Sequence, residues 1–186
     1  MTADYKLLSD DSKAAVRAQL KSAHAYFYHG TTKTRLAGII AGGLDPEQEH
    51  HESEYFWERL EPDKALRYCT QSALITAHET AEERARWRDS ADPTKLDPAD
   101  IILLRVKAEA LLNRSFGLDH AYLDDMTVKL EMGADGLLSA EKFLGLFNDG
   151  GMISCYEVIP RGELQIYSGS FFDDRAAVKE DKFIPL

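Results

Sequence analysis

Six consecutive residues, Ile101-Ile102-Leu103-Leu104-Arg105-Val106, form the clearest strand in this chain. The run is apolar apart from Arg105, as expected of a strand held in a packed sheet. Around it the pattern alternates. A helix is expected over 7–23, where Ser9, Asp10, Asp11 and Ser12 offer caps and Ala14, Val16, Leu20 and Ala23 give an apolar face. A short aromatic strand follows at Tyr26-Phe27-Tyr28, then a helix near Arg35 to Ala41 closed by Gly42-Gly43. Leu66 to Thr70 reads as a strand and 71–89 as a long helix rich in strong helix formers. Ser90 to Ala99, with two prolines and two aspartates, reads as a loop. Ala108 to Leu112 fits a helical turn, and 113–138 gives no clear period. Ser139 to Phe147 reads as a short helix, Asn148-Asp149-Gly150-Gly151 as a turn, and 152–159 and 163–167 as strands around the turn Pro160-Arg161-Gly162. Helices early and strands late, with helices between, indicate an α+β fold with flanking helices around a mixed or antiparallel sheet.

At 186 residues the chain can bury a sizeable core. Its net charge of −10 is the wrong sign for a generic nucleic-acid surface and discourages anionic membranes, though a local basic groove remains compatible with it. No signal peptide is visible over 1–11, and no stretch is long and apolar enough to span a bilayer, so the expectation is a cytoplasmic protein that does not engage membranes. Cys69 and Cys155 sit far apart in apolar surroundings and read as free buried thiols; a disulfide between neighbouring strands is the lesser alternative. His50 and His51 lie beside Glu49, Glu52 and Glu54. A metal is not expected there, because adjacent side chains do not converge on one ion without distant ligands. A solvated loop anchored by Tyr55, Phe56 and Trp57, or a lid over a site, fits the stretch 48–61 better.

The aromatic strand ends in His29-Gly30-Thr31-Thr32. Read locally, His29 sits where a strand ends and the chain turns, either as a solvent-facing histidine or as part of a site. Gly30 lets a ligand approach the backbone, and Thr31 and Thr32 can cap the next helix.

The order of segments carries more than any one of them. Tyr28-His29-Gly30-Thr31 leads into a helix and Gly43-Leu44; Tyr68-Cys69-Thr70 precedes an Ala-rich helix; the strand at 101–106 follows, and then Ile153-Ser154-Cys155-Tyr156-Glu157-Val158-Ile159-Pro160. This order resembles the ADP-ribosyltransferase superfamily of the diphtheria-toxin-like, His-Tyr-Glu type, over roughly 26–167. It is similar also to the RNA 2'-phosphotransferases, which share the opening motif. The resemblance implies a split sheet with a cleft that binds NAD as substrate, and a division into a helical extension (1–25), a transferase-like domain (26–170) and a C-terminal tail (171–186). It implies that His29 bonds the adenine-side ribose, the Gly30 backbone holds the nicotinamide carboxamide beside Thr31, Tyr68 stacks on the nicotinamide, and Thr70 and Ser72 lie beside it. The catalytic triad would then be His29, Tyr68 and Ile153. Met152 and Ile153 stand where the family's glutamate is expected, a departure that puts chain-forming polymerase activity in doubt. Glu131, Asp149, Glu157 and Glu163 are the carboxylates near enough in sequence to stand in, and spacing does not choose among them.

What the resemblance implies is a mono-ADP-ribosyltransferase acting on a protein or nucleic-acid acceptor, in the manner of a bacterial toxin or effector delivered into a target cell, with room for a neutralising or regulatory protein. Two other readings stand beside it. One is an RNA 2'-phosphotransferase-like enzyme, disfavoured by the acidic charge, by the lack of room before Tyr26 for a basic domain, and by Tyr68 standing at the second histidine. The other is an inactive domain that binds ADP-ribose, NAD or a protein. Each residue also has a plain structural reading: Tyr68 as a core aromatic, Thr70 and Ser72 as caps, and Gly150-Gly151 as a hairpin turn.

Overall fold

The computed structural model describes residues 8–46, 66–69, 101–118, 131–150, 152–170, 174 and 178–186. Their order is α1 (Asp10–Ala23), β1 (Tyr26–Thr32), α2 (Lys33–Gly42), β2 (Leu66–Cys69), β3 (Ile101–Lys107), α3 (Ala108–Leu112), β4 (Phe116–Leu118), α4 (Ala140–Gly150), β5 (Met152–Cys155), β6 (Leu164–Tyr167) and β7 (Phe183–Pro185). The fold is α+β. The strands form one sheet in the order β4-β5-β2-β1-β3-β6-β7, and every seam between described strands is antiparallel.

The sheet is centred on β1 and β3, which pair without a break from Tyr26↔Lys107 to Thr32↔Ile101. Side chains alternate between the two faces of a strand. Phe27, Leu104 and Val106 therefore share one face, where they join the apolar core. Tyr28 and Arg105 occupy the other face and are also buried. Each fully buried aliphatic side chain of this core contributes about 1.5–3 kcal/mol of hydrophobic stabilisation. Among the described residues the seam between β1 and β2 has the register pair Tyr28↔Cys69.

Helix α1 begins at a Ser9 cap, whose hydroxyl accepts the Ser12 N–H at 3.2 Å, and Asp10 and Asp11 complement the helix dipole. Val16 and Leu20 are its buried residues, and the helix packs on α3 and α4. The break after α2 is fixed by Gly43, which adopts φ +85° and donates its N–H to the Ile39 carbonyl at 2.8 Å. A Cβ there would stand 2.4 Å from the Ile159 carbonyl oxygen. That closeness follows from a two-way backbone bridge, Leu44 N–H to Ile159 O and Ile159 N–H to Leu44 O, both 2.9 Å.

The structure differs from the sequence reading at three places. β1 runs through Thr32, so His29 lies inside a strand and Thr32 ends it; a continuous ladder to β3 overrides the expected turn at Gly30. Asn148 to Gly150, expected within a turn, instead complete α4, which extends to Gly150. Phe116–Leu118, in a stretch without period, is strand β4, paired with β5. Within the C-terminal tail, Phe183–Pro185 is strand β7, and Phe183 packs on Tyr28 and Tyr167, with ring centroids 5.9 and 5.0 Å apart. Residues 48–61, the helix expected over 71–89 and the loop over 90–99 lie outside the described residues.

Candidate functional site

The register of β1, β2 and β5 sets three residues in a row. On β5, Ile153 is the register partner of Tyr68 on β2. On the other side of β2, the pair Tyr28↔Cys69 carries the antiparallel register on to His29 facing the Tyr68 position. His29, Tyr68 and Ile153 thus occupy corresponding positions on three neighbouring strands.

The sequence leaves open a solvent-facing histidine, but His29 is only 3% exposed. It shares its face of β1 with Phe27 and Thr31, two residues to either side. Thr31 is buried as well. Its Oγ1 is the one buried side-chain polar atom without a hydrogen-bond partner among the described residues. Leaving a hydroxyl in that state costs about 1–3 kcal/mol. Such an atom, one strand step from a buried histidine, fits a site that a polar ligand completes. The Gly30 backbone lies between the two. Ile153 is fully buried in the apolar core, so the third position brings packing and no charge.

Three of the four candidate carboxylates are committed elsewhere. Glu157 accepts the Ser115 N–H at 2.6 Å. Glu163 holds the Arg114 guanidinium, with N···O distances of 2.8 and 2.9 Å. Glu131 pairs with Lys142 at 2.5 Å. Asp149 lies on α4. None of the three joins the row. Thr70 and Ser72 lie outside the described residues, as do His50 and His51. Among the described residues no group of three or more His, Cys, Asp or Glu could hold a metal.

Cys155 is a free, buried thiol, which burial pushes up to about 11; it stays protonated near neutrality and is no nucleophile. His24, whose ring lies 5.8 and 5.9 Å from those of Phe27 and Phe147, is lowered by burial. An open cleft of about 380 Å³, lined by Lys21, His24, Tyr26 and Lys107 among others, sits at the start of β1 and not at His29. Among the described residues no helix is long and apolar enough to cross a membrane.

On the face of β1 away from His29 lies a feature not anticipated from sequence. Arg105, 6% exposed, has its guanidinium carbon 3.8 Å from the Tyr26 ring centroid and 3.9 Å from that of Phe183. Its Nε donates to Gln165 at 2.7 Å, and its Nη1 pairs with Glu180. Tyr28 donates its hydroxyl to the same Glu180 at 3.2 Å. Burial first, and then the Glu180 carboxylate, push the Tyr28 phenol up to about 12. The available signal was Arg105 itself, a lone charge within an apolar strand, which required a buried partner.

No family model matches the chain, and comparison with curated proteins and with solved structures returns no match.

Proposed function

We propose that this chain is an NAD-dependent mono-ADP-ribosyltransferase that modifies a protein or nucleic-acid acceptor. The observation that carries the reading is the row of His29, Tyr68 and Ile153 on β1, β2 and β5. The unpartnered Thr31 hydroxyl beside His29 supports it further. In this reading His29 bonds the adenine-side ribose, the Gly30 backbone holds the nicotinamide carboxamide beside Thr31, and Tyr68 lies against the nicotinamide.

The chemistry breaks the bond between the nicotinamide nitrogen and the ribose anomeric carbon. Nicotinamide leaves with the bonding electron pair, positive charge builds on the ribose, and the acceptor's nucleophile forms the new bond at that carbon. In glycoside hydrolysis a carboxylate stabilises the equivalent charge. Here the third position is isoleucine, so rate comes from holding the reactants in line. The acceptor supplies its own nucleophile and passes any displaced proton to itself or to water. Single transfer without chain growth is the expected outcome.

The test is nicotinamide release from NAD by the purified protein, with cell extract as acceptor. Release that is lost in His29→Ala and Tyr68→Ala supports the reading. No release, with neither variant changing anything, rejects it. A second reading is favoured by one observation, the absence of a described carboxylate in the row: a domain that binds NAD or ADP-ribose without turnover. Thermal stabilisation by NAD with no nicotinamide released would select it.

A further inference from the structure

We propose that the cleft at the start of β1 is an anion site that seats a phosphate group between the ammonium groups of Lys21 and Lys107, with Tyr26 and His24 as its hydrogen-bonding walls. The proposal stands apart from the transferase reading. Tyr26 precedes His29 by three residues on β1, roughly 10 Å along the strand.

The cleft, of about 380 Å³, lies where the end of α1, the start of β1 and the junction of β3 with α3 meet. Tyr26 and Lys107 are register partners and stand side by side at this end of the sheet. The chain carries a net charge of −10, yet among the described residues the cleft is lined by two lysines against one carboxylate, Glu109. Charges of one sign gathered in a concave wall concentrate counter-ions there. Lys21 donates to Asn113 Oδ1 at 2.9 Å and stands 3.7 Å from Glu109 Oε1. The pair with Glu109 is weak, because that side chain is 74% exposed. An ammonium has three N–H donors, so Lys21 keeps capacity for a ligand. The Lys107 ammonium, the Tyr26 hydroxyl and the His24 ring nitrogens have no hydrogen-bond or ion-pair partner among the described residues.

The walls are braced from behind while their polar tips stay unused. The Arg105 guanidinium, itself buried, backs the Tyr26 ring. The His24 ring lies against Phe27 and Phe147, and Asn113 holds Lys21. Groups already held in place lose little freedom when a ligand arrives. Burial lowers His24 below its ordinary value, so near pH 7 the imidazole is neutral and donates one N–H. Among the described lining residues there is no arginine, whose planar fork suits a carboxylate. Two ammonium point charges match a phosphate dianion. The volume lies within the range of small-molecule pockets, about 300–1,000 Å³, which leaves room for an organic group on the phosphate.

The experiment uses the full chain at constant ionic strength. Inorganic phosphate, AMP, adenosine and malonate are titrated, with the His24 ring signals followed by NMR and affinity read by calorimetry. Phosphate and AMP are expected to shift the His24 signals saturably; adenosine and malonate at the same concentrations are not. Tighter binding of AMP identifies an organic phosphate as the ligand, equal affinities identify free phosphate, and both support the site. Lys107→Gln is expected to weaken phosphate binding about tenfold, and Tyr26→Phe several-fold. Lys107 is exposed, and Tyr26→Phe keeps the ring on Arg105, so neither change opens the core. Lys33→Gln, at an exposed lysine beyond the other end of β1, is expected to leave phosphate binding at its wild-type value. No response to phosphate, an equal response to adenosine or malonate, or an equal loss in Lys33→Gln overturns the proposal. AMP bound at His29 instead would leave the His24 signals unmoved and its affinity independent of Lys107, which overturns the proposal without touching the transferase reading.

Discussion

Tyr68 on β2 and Ile153 on β5 are register partners, and the isoleucine is fully buried. Where the resemblance would place a carboxylate, this chain has a side chain of the apolar core. Ile153→Glu is expected to destabilise the fold by roughly 3 kcal/mol or more, because an unpaired carboxyl would enter an apolar layer. Ile153→Val should cost only about 1 kcal/mol. Denaturant titration of both variants checks this. A well-folded Ile153→Glu protein would show that the position opens onto a cleft.

Thr31→Val separates a packing role from a ligand role. The variant keeps the shape and removes a hydroxyl that has no partner. Stability should rise, by about 1 kcal/mol, since no hydrogen bond is lost and a desolvation cost is relieved. NAD binding should weaken in the same variant. Chemical denaturation and calorimetric titration with NAD read the two effects, and a loss of stability would reveal a partner for the hydroxyl in the free protein.

Gly43→Ala is expected to cost about 3 kcal/mol. Part is the positive φ, which L residues avoid, and part is the collision with the Ile159 carbonyl. Because that carbonyl also accepts from Leu44, the clash breaks the bridge between the end of α2 and the segment after β5. A fall in Tm of several degrees checks it.

Acid should weaken the fold partly through His24. Burial lowers its folded-state value below the ordinary 6.5, so the unfolded chain binds the proton more readily. The stability that a neutral His24 allows is present above about 6.5 and is lost as pH falls below it. Between pH 7.5 and 5.5, wild-type Tm should fall more steeply than that of His24→Gln. Parallel slopes would count against the assignment.

Much of the fold was legible because it followed local rules. The β3 run, the Ser9 cap and the Gly43 stop each follow from side-chain chemistry within a few residues. What was not legible depended on partners far along the chain. Gly30 reads as a break, yet the β3 ladder keeps it extended. Asn148 to Gly150 reads as a turn, yet these residues complete α4. Phe116–Leu118 is too short to announce itself and becomes a strand only beside β5. Of the candidate site, motif order singles out His29, Tyr68 and Ile153, whereas their adjacency on β1, β2 and β5, the burial of His29 and the Glu180–Arg105–Tyr28 assembly depend on partners far along the chain.

The caged guanidinium of Arg105 also bears on how this sheet avoids misassembly. Sliding β1 by one residue along β3 would turn Phe27 and Tyr28 to the wrong layers and set Tyr28 against an aliphatic neighbour in place of Arg105. Turning β3 over would drive the guanidinium itself into the greasy layer, away from Glu180, Gln165 and its two rings. A single cation thus makes mispaired intermediates costly and leaves the native alignment the only one in which it is solvated by protein.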